Sequence, residues 1–231
     1  GSRPMEDLVM AALGGDDAVL DRLLKAGADA NHADANGWTA LISAARNDQV
    51  GMVDRLLAAG ARVNQADAKG MTALARAAEA GHIAVADRLI AAGADINHSD
   101  RKGKNALMRA AENRRLAMVD HLIKAGGHVN HADRRGKTAL MRAALGGDKA
   151  TIERLLAAKA DVNQADANGW TALICAASGD VAMVKRLIDA GADVGHAAKD
   201  GLTALKRAQA GGHAATVESL EAAARLQAEL G

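Results

Sequence analysis

The chain has 231 residues and nearly balanced charge, with 29 Lys and Arg against 28 Asp and Glu, so its formal net charge is +1. It contains one Cys, one Pro and neither Phe nor Tyr. An intramolecular disulfide is therefore excluded, and the core has to be built from aliphatic side chains. No stretch approaches the roughly 18 apolar residues of a membrane span, so we expect no membrane partner.

The first residues, Gly-Ser-Arg-Pro at 1–4, are typical of an expression-vector remnant, and we predict a single folded domain over residues 5–231. The N-terminus does not resemble a signal peptide, and the lone Cys175 suits a reducing compartment. We therefore expect an intracellular, cytoplasmic protein.

The sequence repeats with a period of 33 residues. The string Asp-Ala-Asn-Gly-Trp-Thr-Ala-Leu-Ile occupies residues 34–42 and recurs unchanged at 166–174. A fixed period of this length predicts a solenoid of stacked repeats. The predicted repeats are a degenerate first one at 5–33, then 34–66, 67–99, 100–132, 133–165, 166–197 and 198–231. The sixth is one residue short near Gly179, and the second helix of the last extends to about Leu230.

Each repeat predicts a tight turn followed by two helices. Asp and Gly three residues apart favour a turn, in which Gly supplies positive φ. Thr39 and its equivalents can cap the first helix, with Asn105 in that role in the fourth repeat. Val53, Leu56 and Leu57 form the apolar stripe of the second helix, which Gly60 ends as a left-handed cap. Lys159 stands in the column of Gly60, so we expect strain there.

These features resemble the ankyrin repeat. The family's Thr-Pro-Leu-His motif becomes Thr-Ala-Leu followed by Ile, Ala, Met or Lys, so its Pro and His are missing, and the resemblance covers about residues 5–225. It implies an all-α ankyrin-repeat solenoid of helix-turn-helix units joined by β-turn loops, with terminal capping repeats. It also implies a concave face lined by turn tips and first helices, where ankyrin domains mostly bind proteins.

Basic residues concentrate in the middle of the chain. Residues 100–132 carry a net charge of +4 and residues 133–165 of +3, against −3 for residues 1–33 and −2 for residues 166–197. All variable turn-tip positions of the two middle repeats are basic, namely Arg101, Lys102, Lys104, Arg134, Arg135 and Lys137. Such a cluster favours a binding role through its surface potential, although a merely solvated rim is the alternative.

A column on the first helices adds Arg76, Arg109, Arg142 and Arg207, with Ser43 and Cys175 at the same position in the other repeats. Glu79 and Glu112 follow Arg76 and Arg109 by three residues and partly compensate them. Leu145 follows Arg142 at that spacing, so we expect Arg142 to be uncompensated.

The only aromatic residues, Trp38 and Trp170, both follow the column Gly at a turn tip. We expect them to be exposed, because exposed Trp is enriched in binding hot spots. The alternative is that each ring packs over its own turn.

The sequence contains no complete catalytic or metal-binding motif. Gly136-Lys137-Thr138 resembles the end of a phosphate loop, but His131 stands where the loop's first Gly is needed. The loop histidines recur once per repeat, too far apart to share a zinc ion. Cys175 has no His at motif spacing. We predict no enzyme activity, no metal and no cofactor.

Three functional hypotheses follow. The first is a non-catalytic scaffold that binds a protein partner with an acidic or mixed surface, anchored by Trp38 or Trp170. The second is a receptor for a phosphate-rich ligand, such as a 2′,5′-oligoadenylate-like or other oligonucleotide. Trp170 would stack a base there, while Arg134, Lys137 and Arg142 hold phosphates. This resembles the ankyrin part of the 2′,5′-oligoadenylate-dependent ribonuclease. The absence of Phe and Tyr leaves a third, an engineered scaffold without a natural ligand.

Overall fold

A computed structural model describes residues 4–231, with side chains from Leu8 onward. Residues 1–3 of the predicted vector remnant lie outside the described residues. The described part of the chain contains fourteen α-helices and no strand beyond one isolated bridge between Ala197 and Thr203. It divides into two compact parts, an N-terminal half up to Gly127 and a C-terminal half from His128, and we describe each by itself.

Both halves consist of helix pairs. In the N-terminal half these are α1 (Pro4–Gly14) with α2 (Asp17–Lys25), α3 (Ala40–Arg46) with α4 (Val50–Ala58), α5 (Ala73–Ala80) with α6 (Ile83–Ala91), and α7 (Ala106–Glu112) with α8 (Leu116–Lys124). In the C-terminal half they are α9 (Ala139–Leu145) with α10 (Lys149–Ala157), α11 (Ala172–Ala176) with α12 (Val181–Asp189), and α13 (Ala204–Ala210) with α14 (Ala214–Leu230). The predicted all-α helix-turn-helix repeats are therefore confirmed, and α14 ends where the sequence predicted.

The first helix of each pair begins at the predicted cap. The Thr39 hydroxyl accepts the backbone N–H of Ile42, and the other capping threonines make the same bond. In the fourth repeat the Asn105 side chain accepts from Met108, as expected. These bonds satisfy N–H groups that a helix start leaves without a partner. Every first helix from α3 onward therefore starts six residues after the residue that opens its repeat, which is Asp in all but the last repeat.

The predicted left-handed cap is confirmed at Gly60, with φ of +91°, and at Lys159, with φ of +67°. A second column of positive φ lies in the turn between the two helices of a repeat. Glycine occupies it in several repeats, but Asp48 and Arg114 adopt φ of +58° and +56° there. A side chain in this region of backbone space is disfavoured because Cβ crowds the following carbonyl. Lys159, Asp48 and Arg114 are therefore strained positions.

The core lies between neighbouring helix pairs of each half. Leu41, Leu74 and Leu107 are almost fully buried on α3, α5 and α7, which pack against one another. Ala44 and Ala45 are fully buried, and such small side chains allow first helices to approach closely. The sixth repeat, one residue short, has the shortest first helix, because α11 is five residues long where α9 has seven.

Two hydrogen-bond ladders fix the spacing of consecutive repeats. At the loop ends, the Asn31 amide donates to the Gly60 carbonyl and accepts the N–H of Arg62, and Asn64 repeats both bonds one period later. At the turn tips, the N–H of Ala68 donates to the Asn36 carbonyl, and the N–H of Arg101 donates to the Lys69 carbonyl. The turn tips of each half therefore form a row of fixed spacing on one side.

Candidate functional site

The Asp that opens each repeat organises its turn. In the third repeat the Asp67 carbonyl accepts the N–H of Gly70, and Oδ1 of Asp67 accepts the N–H groups of Lys69 and Met71. The aspartates at 34, 100, 133 and 166 make the same backbone bonds. With Oδ1 saturated, Oδ2 remains available for a cation.

In three repeats the cation is the arginine nine residues later. Nη2 of Arg76 lies 2.7 Å from Oδ2 of Asp67, Nη2 of Arg109 lies 2.5 Å from Oδ2 of Asp100, and Nη2 of Arg142 lies 2.8 Å from Oδ2 of Asp133. The expectation that Arg142 is uncompensated was wrong, because its partner lies in the turn of the same repeat and not on its helix. Arg76 is also buried, with 7% of its surface exposed.

Two lysines predicted at exposed turn tips are also held by carboxylates. Nζ of Lys104 lies 2.8 Å from Oε1 of Glu112, and both side chains are largely buried. Nζ of Lys137 lies 2.7 Å from Oδ2 of Asp166, whose side chain is 2% exposed. Lys137 thereby supplies to the next repeat the cation that Cys175 cannot provide, since Cys175 replaces the arginine there.

These contacts set the charge state of the turn carboxylates. Burial raises the pKa of Asp133, but hydrogen bonds from Arg142 and from the N–H groups of Lys137 and Arg135 outweigh it, so the pKa lies below its ordinary value. Burial likewise opposes the hydrogen bonds that Asp166 accepts from Lys137, Trp170 and Asn168, and its pKa is also lowered. Both carboxylates are therefore ionised at neutral pH and serve as structural anions.

Each Trp ring lies beside two cations and is half-buried, so the expected full exposure is not observed. The guanidinium carbons of Arg46 and Arg76 lie 5.3 Å and 4.9 Å from the centroid of the Trp38 ring. Nζ of Lys137 and the guanidinium carbon of Arg207 lie 5.7 Å and 4.7 Å from that of Trp170. Cations at these distances are attracted by the ring quadrupole. Trp38 therefore orients one basic side chain of its own repeat and one of the next, and Trp170 orients one from each neighbouring repeat.

Four basic side chains of the N-terminal half border the turn tips and are exposed, namely Arg46, Lys69, Arg101 and Lys102. Among the described residues, none of the four forms an ion pair with a carboxylate. Arg134 and Arg135 are exposed in the same way in the C-terminal half. Arg46 and Lys69 were missed from the sequence, although Lys69 directly precedes a column Gly and Arg46 stands where the next two repeats carry Glu79 and Glu112.

Two adjoining cavities run along the turn tips of the N-terminal half. The first, here the Trp38 pocket, has a volume of about 420 Å³ and is lined by Asn36, Trp38, Arg46, Asp67, Ala68, Lys69 and Arg76. The second, the Lys102 pocket, has about 410 Å³ and is lined by Ala68, Lys69, Met71, Arg76, Glu79, Arg101, Lys102 and Arg109. The shared residues Ala68, Lys69 and Arg76 join them into one groove, which we call the turn-tip groove.

The Trp170 pocket in the C-terminal half differs in charge. Its volume is about 300 Å³, and its lining residues are Lys137, Asp166, Asn168, Trp170, Lys199 and Asp200. Two lysines face two aspartates, so the lining is neutral, whereas three cations against one carboxylate leave the Trp38 pocket with +2. The two tryptophans, which stand in identical nine-residue strings, therefore line pockets of different charge.

On the outer surface, formed by second helices, several arginines contact carboxylates. Arg55 contacts Asp21 at 2.8 Å, Arg88 contacts Asp54 at 3.8 Å, and Arg186 contacts Glu153 at 2.7 Å. Each pair joins neighbouring repeats of one half. These arginines offer little uncompensated charge to a partner, in contrast to those of the turn-tip groove.

The cysteine and the loop histidines, which the sequence raised as candidates for catalysis or metal binding, have structural roles. Cys175 is 2% exposed, and burial raises the pKa of its thiol to about 11, which disfavours a nucleophilic thiolate. Nε2 of His98 donates to the Gly70 carbonyl at 2.8 Å, as expected for a loop-building role, and His196 does the same with Gly169. Within residues 4–231 no group of three His, Cys, Asp or Glu side chains is placed to hold a metal ion. No helix in this part of the chain combines the length and apolarity needed to cross a membrane.

Comparison with known proteins agrees with the architecture. The family description "Ankyrin repeats (3 copies)" matches residues 8–100, 86–166 and 140–228, which together cover nearly the whole chain. No curated protein sequence matches. With its capped helix pairs, its turn aspartates and this match, the chain belongs to the ankyrin-repeat family.

Proposed function

We propose that this chain is a non-catalytic binding scaffold whose turn-tip groove takes a protein partner with an acidic or mixed surface. Ankyrin repeats are generally protein-binding scaffold domains, and they mediate protein interactions. The observation that carries the proposal is the contrast between two surfaces. The four exposed basic side chains of the groove form no ion pair with a described carboxylate, whereas Arg55, Arg88 and Arg186 of the outer helices each contact one.

Electrostatics supports an acidic partner. An exposed cation that already contacts a carboxylate gains little from a second one, because much of its field is compensated. Cations without such a partner raise the local concentration of anionic surfaces and speed their association. Arg101 and Lys102 at the groove, and Arg134 and Arg135 in the C-terminal half, are of this second kind.

The predicted site residues divide into two roles. Arg76, Arg109, Arg142, Lys104 and Lys137 contact carboxylates and hold the turns in place. We assign partner contact to Trp38, Arg101, Lys102, Arg134 and Arg135, and we add Arg46 and Lys69. Trp170 belongs with the positioning group, because its ring lies beside two cations that are engaged elsewhere.

A random peptide library displayed on phage tests this proposal. We expect the wild-type chain to enrich peptides rich in Asp and Glu, and the triple variant Lys69→Gln, Arg101→Gln, Lys102→Gln to lose them. The matched control, Arg55→Gln, Arg88→Gln, Arg186→Gln, removes the same charge from the outer helices and should retain them. Loss of binding in the outer-helix variant, with retention in the groove variant, would place the interface elsewhere.

The phosphate-rich ligand is the alternative outcome of the same comparison. Binding to a single-stranded oligonucleotide weakens with salt at a log–log slope of roughly −0.7 per phosphate neutralised. A short oligonucleotide that binds tighter than every selected peptide, with a slope of this kind, would favour a nucleotide receptor over a protein scaffold. The double variant Arg134→Gln, Arg135→Gln tests whether the C-terminal half contributes to either ligand.

A further inference from the structure

The turn-tip groove contains two sets of available cations, and Lys69 of the first set lies at the boundary of the two pockets. In the Trp38 pocket, Arg76 is engaged, since its Nε and Nη2 donate to Oδ2 of Asp67 at 3.2 and 2.7 Å. Arg46 is exposed, lies against the Trp38 ring and pairs with no described carboxylate, and Lys69 beside it is exposed as well. In the Lys102 pocket, Arg101 and Lys102 have the same character, while Arg109 contacts Asp100.

The distance between the two sets is fixed by the repeat. Helices α3, α5 and α7 pack in sequence, and the turn tips that precede them are joined by the backbone bonds from Ala68 to Asn36 and from Arg101 to Lys69. Packed helices lie about 8–10 Å apart, so equivalent turn-tip positions repeat at about that distance. Lys69 and Lys102, which occupy equivalent turn-tip positions, are therefore presented at a fixed spacing of one repeat.

A polypeptide can match this spacing in one extended conformation. In the polyproline II helix, every third side chain lies on the same face, and three residues advance the chain by roughly 9.3 Å. A β-strand places side chains of one face about 6.7 Å or 13 Å apart, and neither distance fits. Carboxylates repel one another and keep an acidic segment extended, which favours the polyproline II form.

We propose that the groove binds an extended acidic segment in which Asp or Glu recurs at every third position. This inference rests on the proposed function and specifies the chemistry of its partner. One carboxylate binds between Arg46 and Lys69 at the Trp38 pocket, and the carboxylate three residues away binds Arg101 and Lys102. The neutral Trp170 pocket does not take part.

Composition-matched peptides test the spacing. One labelled peptide repeats Glu-Pro-Pro four times, and its control has the same residues with the four Glu at every second position, so that no two Glu lie three residues apart. We expect the spaced peptide to bind about fivefold tighter by fluorescence polarisation, because only it can place charge-assisted contacts in both pockets without bending. The variant Arg46→Gln, Lys69→Gln should remove this preference, and the matched variant Arg55→Gln, Arg88→Gln should keep it.

Trp emission locates the bound peptide. In Trp170→Phe the remaining Trp38 should change its emission when the spaced peptide is added, whereas in Trp38→Phe the remaining Trp170 should not. A response of Trp170 alone would overturn the assignment of the pocket.

The outcomes separate this inference from the proposed function. Equal affinities for the two peptides, lost together in the groove variants, would overturn the spacing and leave the acidic-partner scaffold in place. Tighter binding of a helical peptide with Glu at positions seven apart would also overturn the extended conformation, since two helical turns advance by roughly 10.5 Å. Tighter binding of an oligonucleotide that changes Trp38 emission would replace the peptide by a nucleic acid.

Discussion

Trp38 and Trp170 stand in the same string of nine residues, yet they line pockets of different charge. The Trp38 pocket receives Arg46 from its own repeat and Lys69 from the next turn, whereas Ser178 and Asp200 occupy the equivalent positions around Trp170. Lys137 reaches the Trp170 turn from the preceding repeat and neutralises Asp166. The local string thus determines the turn, while neighbouring repeats determine what the turn can bind.

Arg76 and Arg207, which lie over the Trp38 and Trp170 rings, should differ most in their contribution to the free energy of unfolding. Arg76→Met leaves the buried carboxylate of Asp67 without its cation, and breaking such a pair costs about 3 kcal/mol or more. Among the described residues Arg207 donates to two backbone carbonyls, of Ile174 and Cys175, so Arg207→Met should cost less, about 1.5 kcal/mol. Urea unfolding followed by circular dichroism measures both. Equal losses would mean that the two arginines have the same structural role.

Low pH should remove the loss of stability that a second substitution, Lys137→Met, causes at neutral pH. Lys137→Met removes a charge-assisted hydrogen bond to Asp166 and should cost about 1.5–3 kcal/mol at pH 7. The folded-state pKa of Asp166 is lowered, so this stabilisation is present above the unfolded pKa of about 3.9 and is lost as pH falls through the folded value. The gap between wild type and variant should therefore close below pH 4. Lys199→Met, at an exposed lysine of the same pocket, is the control and should change little at either pH.

In the two repeats that carry Trp, Ser43 and Cys175 replace the arginine of the first helix. Substitutions at these two positions should change the stability of the chain in opposite directions. The hydroxyl of Ser43 is fully buried and has no hydrogen-bond partner among the described residues. Ser43→Ala should therefore stabilise the chain by about 1 kcal/mol. Cys175→Ser, which places a hydroxyl in the equivalent buried site, should destabilise it by a similar amount. A stabilising Cys175→Ser would show that this site offers a partner that Ser43 lacks.

The smallest expected effect involves the backbone alone and lies outside both pockets. Lys159 adopts φ of +67° at the end of α10. Lys159→Gly should therefore raise the free energy of unfolding by up to about 1 kcal/mol, which is measured as a higher midpoint of thermal unfolding. Lys159→Ala keeps the strained Cβ and should give no gain. If Ala stabilises as much as Gly, the benefit comes from removing the lysine side chain.

The fold was predictable because its signals are local. Thr39 and Asn105 mark helix starts, and Gly60 and Lys159 mark helix ends, through bonds and dihedral angles within a few residues of themselves. The partners of the basic side chains were not predictable in the same way. Helical spacing predicts no partner for Arg142, because Leu145 stands three residues after it. Its partner is Asp133, in the turn of the same repeat.

A sequence signal for these pairs did exist. Asp and Arg nine residues apart recur at 67 and 76, 100 and 109, and 133 and 142. From residue 34 onward, the repeats that lack this Arg are those with Trp at the turn tip. The Lys137–Asp166 pair carries no comparable signal, because Lys104 and Asp133 are also 29 positions apart and yet Lys104 contacts Glu112. Its assignment required the distance between neighbouring turns.

The bonds that join successive turn tips use only backbone atoms, and they leave the side chains there free to vary. Gly37 cannot vary, because a Cβ added to it would lie 2.7 Å from the backbone nitrogen of Ala68. Positions such as Lys69 and Arg101 have no such restriction, since their contribution to the ladder is a carbonyl or an N–H that every residue except proline provides. The groove can thus acquire a different recognition code, residue by residue, at almost no cost to folding.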